Sequence, residues 1–486
     1  MANESYLTPQ NAQEFAGGRW LNCDMNIRFT GVSYAQFIKG NLYFPLNKDK
    51  RNLESIQKYI SSGIGAVVLD NEDLISKITV PILLVADIGK AFEKIARGVR
   101  SGANPQTVLI TGTEGKTGTK LQLHHVLEKQ TKVHAILNSQ NNLNSVYRTL
   151  ADIGVNDRVE IAEVGCGANT NLNRTRGRAV NPDICFYTQI GLAHMDFHKD
   201  LDGLLQNKAS VLAGLRDGGL CIVNSTIDCY GKFIDKIRAE KNNVTLLTYG
   251  ENDSDTAKVI ERKFDGKRRC WNIKADIEGE IVEYFHPVFH QFIPVMSVGI
   301  LLLVKRLGFD IQRASLDFGS FTPYETMGQL LEIRKGDDQF LFYNQSRRGG
   351  GINSLVSSFQ DLGNFECSGK IIALLGSMSV KEDKKHTFDL HKSTADLVNS
   401  SKIERLYTTG VYMDIIRDNL DDSSIFVKHS DDYPFLLNEL LNELEDGDLL
   451  FIKGHASLNL ARLAKMILNH EDTLHSYKIV KGLISL

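Results

Sequence analysis

The sequence has no apolar stretch long enough to cross a bilayer, because the longest, around residues 299–304, is far shorter than the roughly 20 residues that a membrane helix needs. The amino-terminal residues MANESYLTPQ carry neither the basic start nor the apolar segment of a signal peptide. The seven cysteines are scattered without CxxC spacing, and we expect them to be reduced, with several of them packing as small hydrophobic residues inside apolar runs. These absences predict a cytoplasmic protein.

The sequence also lacks an excess of charge of either sign. It contains 56 basic and 59 acidic side chains, which leaves a net charge of -3. Such a balance does not favour nucleic acid or an anionic membrane as the main partner. The oligomeric state stays open between a monomer and a homo-oligomer.

The length of 486 residues exceeds what one hydrophobic core supports, since cores stop growing near about 250 to 300 residues. We therefore expect about three domains. Residues 1–102 alternate short β-rich runs with a helical pattern at 53–62, which is typical of a small α/β domain. We expect this domain to bind substrate. Residues 103–320 form the predicted central domain, and residues 321–486 form the third.

The central and third regions both alternate apolar strand patterns with helix-length stretches, which indicates α/β domains built on buried parallel sheets. Residues 251–279 are polar and charged, and we interpret them as a hairpin-rich excursion of the central domain. The third region is expected to be Rossmann-like. The predicted strands are QTVLITG, VEIAEVG, DICFYTQIG, LCIVNS and NVTLLTYG in the central domain, and FLFYNQ, KIIALLG, ERLYTTG, SIFVKHS and DLLFIKG in the third.

A glycine-rich turn, TGTEGKTGTK, joins the first central strand to a helical pattern, where backbone N–H groups and the helix dipole stabilise phosphate. Gly112 and Gly115 allow a tight turn, Lys116 can neutralise the β- and γ-phosphates, and the Thr117 hydroxyl can hold Mg²⁺. A glycine turn that merely packs is the alternative. The Lys-Thr pair at a strand-to-helix junction favours ATP binding, and the remaining loop positions assigned to the nucleotide are Thr113, Glu114 and Gly118.

The loop spacing, GTxGKT, is two residues shorter than the general phosphate loop and resembles the signature of the Mur ligase family. This resemblance implies a three-domain α/β architecture with a central ATPase domain. Glu163, in IAEVGCGAN, resembles the family's glutamate that ligates Mg²⁺ near the γ-phosphate, and a carboxylate at the end of a buried strand suits a hard cation. His194, in NPDICFYTQIGLAHMDFH, resembles the family's histidine that binds a second Mg²⁺.

Lys208, in LLQNKASVLAGL, occupies the position of the family's lysine that reacts with CO₂ to give an anionic carbamate near Mg²⁺. A lysine on a helix is more often a solvated surface residue, and that is the alternative here. Carbamylation needs the neutral amine, so a site that desolvates the lysine would favour it.

The substrate side resembles family members that add D-alanyl-D-alanine to a UDP-linked muramoyl tripeptide, but with departures. Asn141 and Asn142 match a substrate-side segment of those members. The uridine-binding Asp-Ser-Arg is replaced by Val-Ser-Tyr, of which only Ser33 is retained. In the segment that contacts adenine, His290 is kept and the last asparagine is lost.

The third domain departs most from the family pattern. Asn344 stands where a nucleotide-contacting aspartate is expected. Arg347 and Arg348 precede three glycines and favour either an anion-binding turn or a flexible loop with two solvated arginines. Lys453 lies in a segment that resembles the family's "VLVKGSRS", and we expect it to reach the substrate when the third domain closes.

The resemblance implies an ATP- and Mg²⁺-dependent ligase that activates a carboxylate as an acyl phosphate and transfers it to the amine of an amino acid or peptide. The predicted catalytic residues are Lys116, Glu163, His194 and Lys208. Three hypotheses remain: a ligase that has left peptidoglycan for another pathway, a divergent cell-wall ligase, and a pseudo-ligase that binds ATP and acts as a partner protein. Retention of Thr117, Glu163, His194 and Lys208 as a coherent set counts against the third.

Overall fold

The computed structural model describes residues 4–36, 38–138, 141–165, 169–191, 200–266, 268–323, 328–346, 352–378, 384–455, 458–469 and 478–479. The chain divides into two compact units. The first contains the described residues up to Ile190, those from 200 to Thr248, and Arg306–Phe309. The second contains Tyr249–Lys305 and the described residues from Asp310 onwards. Across all these ranges, no helix is both long enough and apolar enough for a membrane crossing.

The amino-terminal part of the first unit is a small sheet with order β1-β5-β4-β3-β2, in which β1 runs antiparallel to β5. Local sequence defines its helices: Thr8 forms a capping box ahead of a proline at the start of the first helix, and Asp87 caps the third. The elements are α1 Pro9–Ala16, β1 Arg19–Leu21, β2 Val32–Ser33, β3 Leu42–Tyr43, α2 Leu53–Ser61, β4 Ala66–Leu69, β5 Ile82–Leu84 and α3 Ile88–Ala103.

The rest of the first unit is built on a parallel sheet with order β10-β9-β6-β8-β7. Every residue of β8 and β9 is buried, which explains the nearly continuous apolar runs in the sequence. The predicted strands are confirmed. The elements are β6 Gln106–Thr111, α4 Lys116–Glu128, β7 Val133–Ala135, α5 Leu143–Ala151, β8 Val159–Glu163, α6 Thr170–Val180, β9 Ile184–Tyr187, α7 Leu201–Ala209, β10 Leu220–Asn224, α8 Tyr230–Glu240 and β11 Thr245–Gly250.

The second unit begins with an antiparallel meander, β12 to β14, so the predicted hairpins are present, but they belong to this unit and not to the unit that contains the phosphate loop. Its larger sheet has the order β19-β18-β17-β20-β16-β15-β21, with β16 to β20 parallel as predicted for a Rossmann-like region. The elements are β12 Ala257–Asp265, β13 Cys270–Ile277, β14 Glu280–His286, α9 Ile293–Arg306, α10 Ile311–Asp317, β15 Gln329–Lys335, β16 Asp338–Gln345, α11 Ile352–Gly363, β17 Ile371–Gly376, α12 Lys384–Asn399, β18 Arg405–Thr409, α13 Met413–Arg417, β19 Phe426–His429, α14 Tyr433–Glu443, β20 Leu449–Lys453, α15 Leu460–Asn469 and β21 Lys478–Ile479.

Each unit has a core that joins regions distant in sequence. In the first, Phe92 of α3 packs edge-on against Tyr147 of α5, with ring centroids 5.9 Å apart, so the amino-terminal sheet and the parallel sheet share one apolar cluster. In the second, the ring centroids of Phe289 and Phe365 are 4.0 Å apart, and both residues belong to the core of the larger sheet. Residues that follow the meander are thus held by the carboxyl-terminal region.

Candidate active site

The phosphate loop connects β6 to α4 through two glycines with positive φ. Gly112 has φ +149°, and a Cβ there would lie 2.0 Å from the Thr188 hydroxyl oxygen. Gly115, with φ +80°, is the N-cap of α4 and contributes no side-chain capping bond, which leaves the positive end of the helix to attract an anion. Gln189 holds the loop by accepting the backbone N–H of Thr113 at 2.7 Å. The predicted strand-to-helix phosphate loop is confirmed as a structural element.

Two lysines converge on one carbonyl oxygen of this loop. The Lys116 ammonium donates to the carbonyl oxygens of Gly112 and Thr113 at 3.0 and 2.8 Å. The Lys208 ammonium, fully buried at the end of α7, donates to the same Gly112 oxygen at 2.6 Å. Lys208 is therefore not a solvated surface residue, and it lies where two positive charges meet a loop suited to phosphate.

Glu163 ends β8 beside this loop and is held by several donors. The Thr117 hydroxyl lies 3.0 Å from both carboxylate oxygens, and the Asn141 amide nitrogen lies 3.4 Å from Oε1. Lys120 forms a buried ion pair with Oε2 at 2.8 Å. The predicted metal ligands Thr117 and Glu163 are thus brought together, and their oxygen atoms suit Mg²⁺, which prefers hard oxygen donors.

Lys120 was not predicted from the sequence. It follows Lys116 by four residues in α4, and this spacing puts two side chains on the same face of a helix. A second lysine one turn into the helix after a phosphate loop was the available signal. The other predicted member of the metal set, His194, lies outside the described residues, as do Arg347 and Arg348.

The predicted substrate residues at the amino-terminal end of α5 have different roles. The Asn142 side chain caps that helix by accepting the Ser145 backbone N–H at 3.0 Å, so its amide is used structurally. Asn141 instead faces the Glu163 carboxylate. Ser33 is 1 % exposed, and its hydroxyl has no hydrogen-bond partner in the part of the chain that the structure describes.

The segment around Ser33 is fastened to α5. The backbone N–H of Val32 donates to the Asp152 carboxylate at 2.6 Å, and the Tyr34 hydroxyl lies 3.2 Å from the Ser145 hydroxyl. Burial raises the pKa of Asp152 to about 6, although the Val32 and Arg148 contacts lower it. The Val32 and Ser33 side chains are buried, and the partly buried Tyr34 has its hydroxyl against α5.

The remaining predicted residues lie in the second unit. His290 Nε2 is 2.7 Å from the Ser357 hydroxyl of α11, and the adjacent Gln291 backbone N–H donates to Asp361 at 2.9 Å. Asn344 is buried and accepts the backbone N–H of Ser346 at 3.1 Å. The fully buried Lys453 ammonium donates to Gln345 at 3.1 Å and to Ser354 at 2.9 Å, which fixes it between β16, β20 and α11.

The chain is similar to known proteins over most of its length. The family model for the Mur ligase middle domain matches residues 110–287. UDP-N-acetylmuramoyl-tripeptide--D-alanyl-D-alanine ligase from Rickettsia prowazekii is 22% identical over 427 residues, which is 87% of this chain and 92% of the relative. The enzyme of the same name from Haemophilus influenzae is 25% identical over 452 residues, 91% of each chain.

Solved structures show the same fold. MurF from Acinetobacter baumannii superposes with a TM-score of 0.80 at 14% identity, covering 96% of this chain and 100% of that one. The MurF ligase from Thermotoga maritima in complex with ADP superposes with a TM-score of 0.70 at 16% identity, covering 90% and 96%. The predicted three-domain α/β architecture of this family is confirmed.

The chain carries a match to the Mur ligase middle domain at residues 110–287 and is an ATP-dependent acid–amino acid ligase similar to the enzymes of that family. It is a MurF-like peptide ligase, similar to those enzymes over nearly its whole length.

Proposed function

We propose that this ligase joins a carboxylate to the amine of an amino acid or peptide in a specialised pathway, with a carboxylate substrate that carries no UDP group. The proposal rests on residues 32–34, the segment that corresponds to the family's uridine-binding Asp-Ser-Arg. Here Val32 and Tyr34 replace the charged residues, Ser33 is buried, and the segment is fastened to Asp152 and Ser145. Its side chains offer neither the carboxylate nor the guanidinium of that pattern.

The reaction would use the charged cluster around the phosphate loop. A carboxylate oxygen of the substrate attacks the γ-phosphorus of ATP, an O–P bond forms, and the bond to the β-phosphate oxygen breaks to release ADP. Lys116 would exchange the loop carbonyls that it now contacts for phosphate oxygens and neutralise the developing charge. The amine then attacks the acyl carbon, loses a proton, and expels phosphate to leave the amide.

Thr117 and Glu163 would hold Mg²⁺, together with His194 and a carbamate on Lys208. When bound, Mg²⁺ would supply positive charge that neutralises the negative charge developing on the transferred phosphate. Burial of Lys208 supports the carbamate, because desolvation favours the neutral amine that reacts with CO₂. The carbamate would also replace one of two positive charges near the Gly112 oxygen with a negative one, and so create a metal ligand.

The second candidate is a peptidoglycan ligase that adds D-alanyl-D-alanine to a UDP-N-acetylmuramoyl tripeptide. Similarity to enzymes of that name over 87% to 91% of the chain favours it. In that case the uridine group would be held by residues other than the Asp-Ser-Arg pattern.

Phosphate release from MgATP in the presence of bicarbonate separates the candidates. One arm contains UDP-N-acetylmuramoyl tripeptide with D-alanyl-D-alanine, and the other contains a panel of unmodified carboxylates with free amino acids and dipeptides. We expect release only in the second arm, with an amide product detected by mass spectrometry. Release that requires the UDP-linked substrate would contradict the proposal and establish the peptidoglycan ligase, and silence in both arms would also contradict it.

A further inference from the structure

We propose that Lys120 is a positioning residue. Its ammonium group balances the negative charge of the Glu163 carboxylate when no metal ion is bound. This role rests on the metal-binding function proposed above for Glu163. Lys120 would keep the metal-free site folded and aimed, and it would make no contact with substrate.

The helix that follows the phosphate loop presents two lysines with separate tasks. Lys116, at the start of α4, reaches back to the loop carbonyls, whereas Lys120, one turn later, reaches across to β8. The Lys120 ammonium lies 2.8 Å from Glu163 Oε2 and also donates to the Asn138 carbonyl oxygen at 2.9 Å. Both side chains of the pair are 1% exposed, so water does not screen the interaction.

Because the Glu163 carboxylate is buried, its stability depends on a positively charged partner. A buried carboxylate without a counter-charge is strongly unfavourable, and removal of one member of a buried pair leaves the other uncompensated. The hydroxyl of Thr117 and the amide of Asn141 are neutral donors and cannot replace a positive charge. Within the described ranges of the chain, Lys120 is the only cation that forms an ion pair with Glu163.

The two carboxylate oxygens are held unequally. Oε2 receives the short contact from Lys120, while Oε1 receives the long 3.4 Å contact from Asn141, and both share the Thr117 hydroxyl. Oε1 is therefore the oxygen more easily given to a cation. Lys120 would keep Oε2 in place through metal binding and release, which keeps the carboxylate aimed at the phosphate loop.

Replacement of this lysine, Lys120→Met, should make the stability of the protein depend on the metal. In EDTA and without nucleotide, we expect the melting temperature of this variant to fall by about 5 °C or more. Millimolar MgCl₂ or MnCl₂ should recover at least half of that loss, because a bound cation stabilises the state that binds it. The wild-type protein should shift by about 1 °C or less under the same additions.

Three variants serve as controls. Lys132→Met removes an exposed lysine from the segment after α4 and should change neither the melting temperature nor the response to metal. Lys120→Arg keeps the positive charge and should restore most of the stability in EDTA. The double variant Lys120→Met/Glu163→Gln removes both charges, and it should melt within about 2 °C of the wild type without responding to metal.

A Lys120→Met protein with the wild-type melting temperature in EDTA would overturn the inference, as would an equal metal shift in the wild type and the variant. If Lys120→Met does not fold, the double variant decides: recovered folding supports the inference and continued failure contradicts it. These measurements need no turnover, so they stay independent of the phosphate-release experiment. Absence of ligase activity with a metal-dependent Lys120→Met would count against the proposed function alone.

Discussion

Strand β8 carries two buried glutamates, Glu160 and Glu163, whose surroundings differ in a way that separates a structural group from a functional one. Glu163 ends the strand beside the phosphate loop and is matched by a short ion pair and two neutral donors. Glu160 sits three residues earlier, 3.7 Å from the Arg100 guanidinium and 3.0 Å from the Thr107 hydroxyl, and its Oε1 has no hydrogen-bond partner in the described chain.

The surroundings of Glu160 raise the pKa of its carboxyl group. Burial raises the pKa of Glu160 to about 7, and the partly compensating Arg100 and Thr107 contacts lower it less than burial raises it. Replacements of these two glutamates, which lie on the same strand, are thus expected to have different effects. Changes at Glu163 should affect turnover, and changes at Glu160 should affect how stability depends on pH.

The largest expected effect is at Glu163. Glu163→Gln keeps the shape of the side chain but removes the charge that would hold Mg²⁺, and we expect kcat to fall by about 1000-fold or more. Phosphate release with the substrate pair identified by the panel measures this. Glu160→Gln is the matched control and should keep kcat within about threefold at pH 8. Equal losses of kcat in the two variants would contradict the assignment of separate roles to Glu163 and Glu160.

Glu160 should instead make the protein less stable as pH rises. Its folded pKa of about 7 lies above the unfolded value of 4.5, so the folded state binds the proton more tightly between these values. Its contribution is greatest below pH 4.5 and is lost as pH rises to about 7, by up to about 3 kcal/mol. Urea unfolding of the wild type and Glu160→Gln across this window should show the difference widening in favour of the variant. A constant difference would contradict this account.

Replacement of Lys208, beside the phosphate loop, should lower turnover by less than replacement of Glu163 does. Lys208→Ala should lower turnover by about 100-fold, and the residual rate should no longer depend on bicarbonate. Lys232→Ala, at an exposed lysine of the next helix, should leave both the rate and the bicarbonate response unchanged. Wild-type turnover that is indifferent to bicarbonate, measured after removal of CO₂, would rule out the carbamate.

Two glycines, one in the loop and one in a helix, give the smallest effect. Gly112→Ala places a Cβ against Thr188 at a positive φ, and we expect MgATP affinity to fall about tenfold as the loop shifts. Gly231 lies within α8, where an added Cβ would meet no atom within 4 Å, so Gly231→Ala should keep affinity within about threefold. Isothermal titration with a nonhydrolysable ATP analogue measures both, and equal losses would show that the loop contact is not the cause.

Much of the fold could be predicted because apolar periodicity marks buried strands directly. The five central strands and the phosphate loop follow from QTVLITG, TGTEGKTGTK and their successors, and the structure confirms them. The helix that carries Lys208 was also predicted, but the burial of that lysine was not a property of its own sequence. It follows from the position of α7 next to the loop, which only the tertiary structure provides.

The rest depends on contacts between residues far apart in sequence. Lys120 pairs with a carboxylate 43 positions later, and no local pattern states which face of α4 meets β8. Asp152 likewise reaches Val32 across 120 positions, which is how the segment expected to contact substrate becomes part of the packing. The division of the chain after Thr248 also follows from long-range packing, in which Phe289 joins the carboxyl-terminal core.

Activation of a carboxylate as an acyl phosphate can be detected by following oxygen from the substrate to the released phosphate. The carboxylate substrate identified by the panel is labelled with heavy oxygen, and the phosphate released during amide formation is analysed by mass spectrometry. If an acyl phosphate forms, each released phosphate carries one labelled oxygen. Amide formation with unlabelled phosphate would contradict activation through an acyl phosphate.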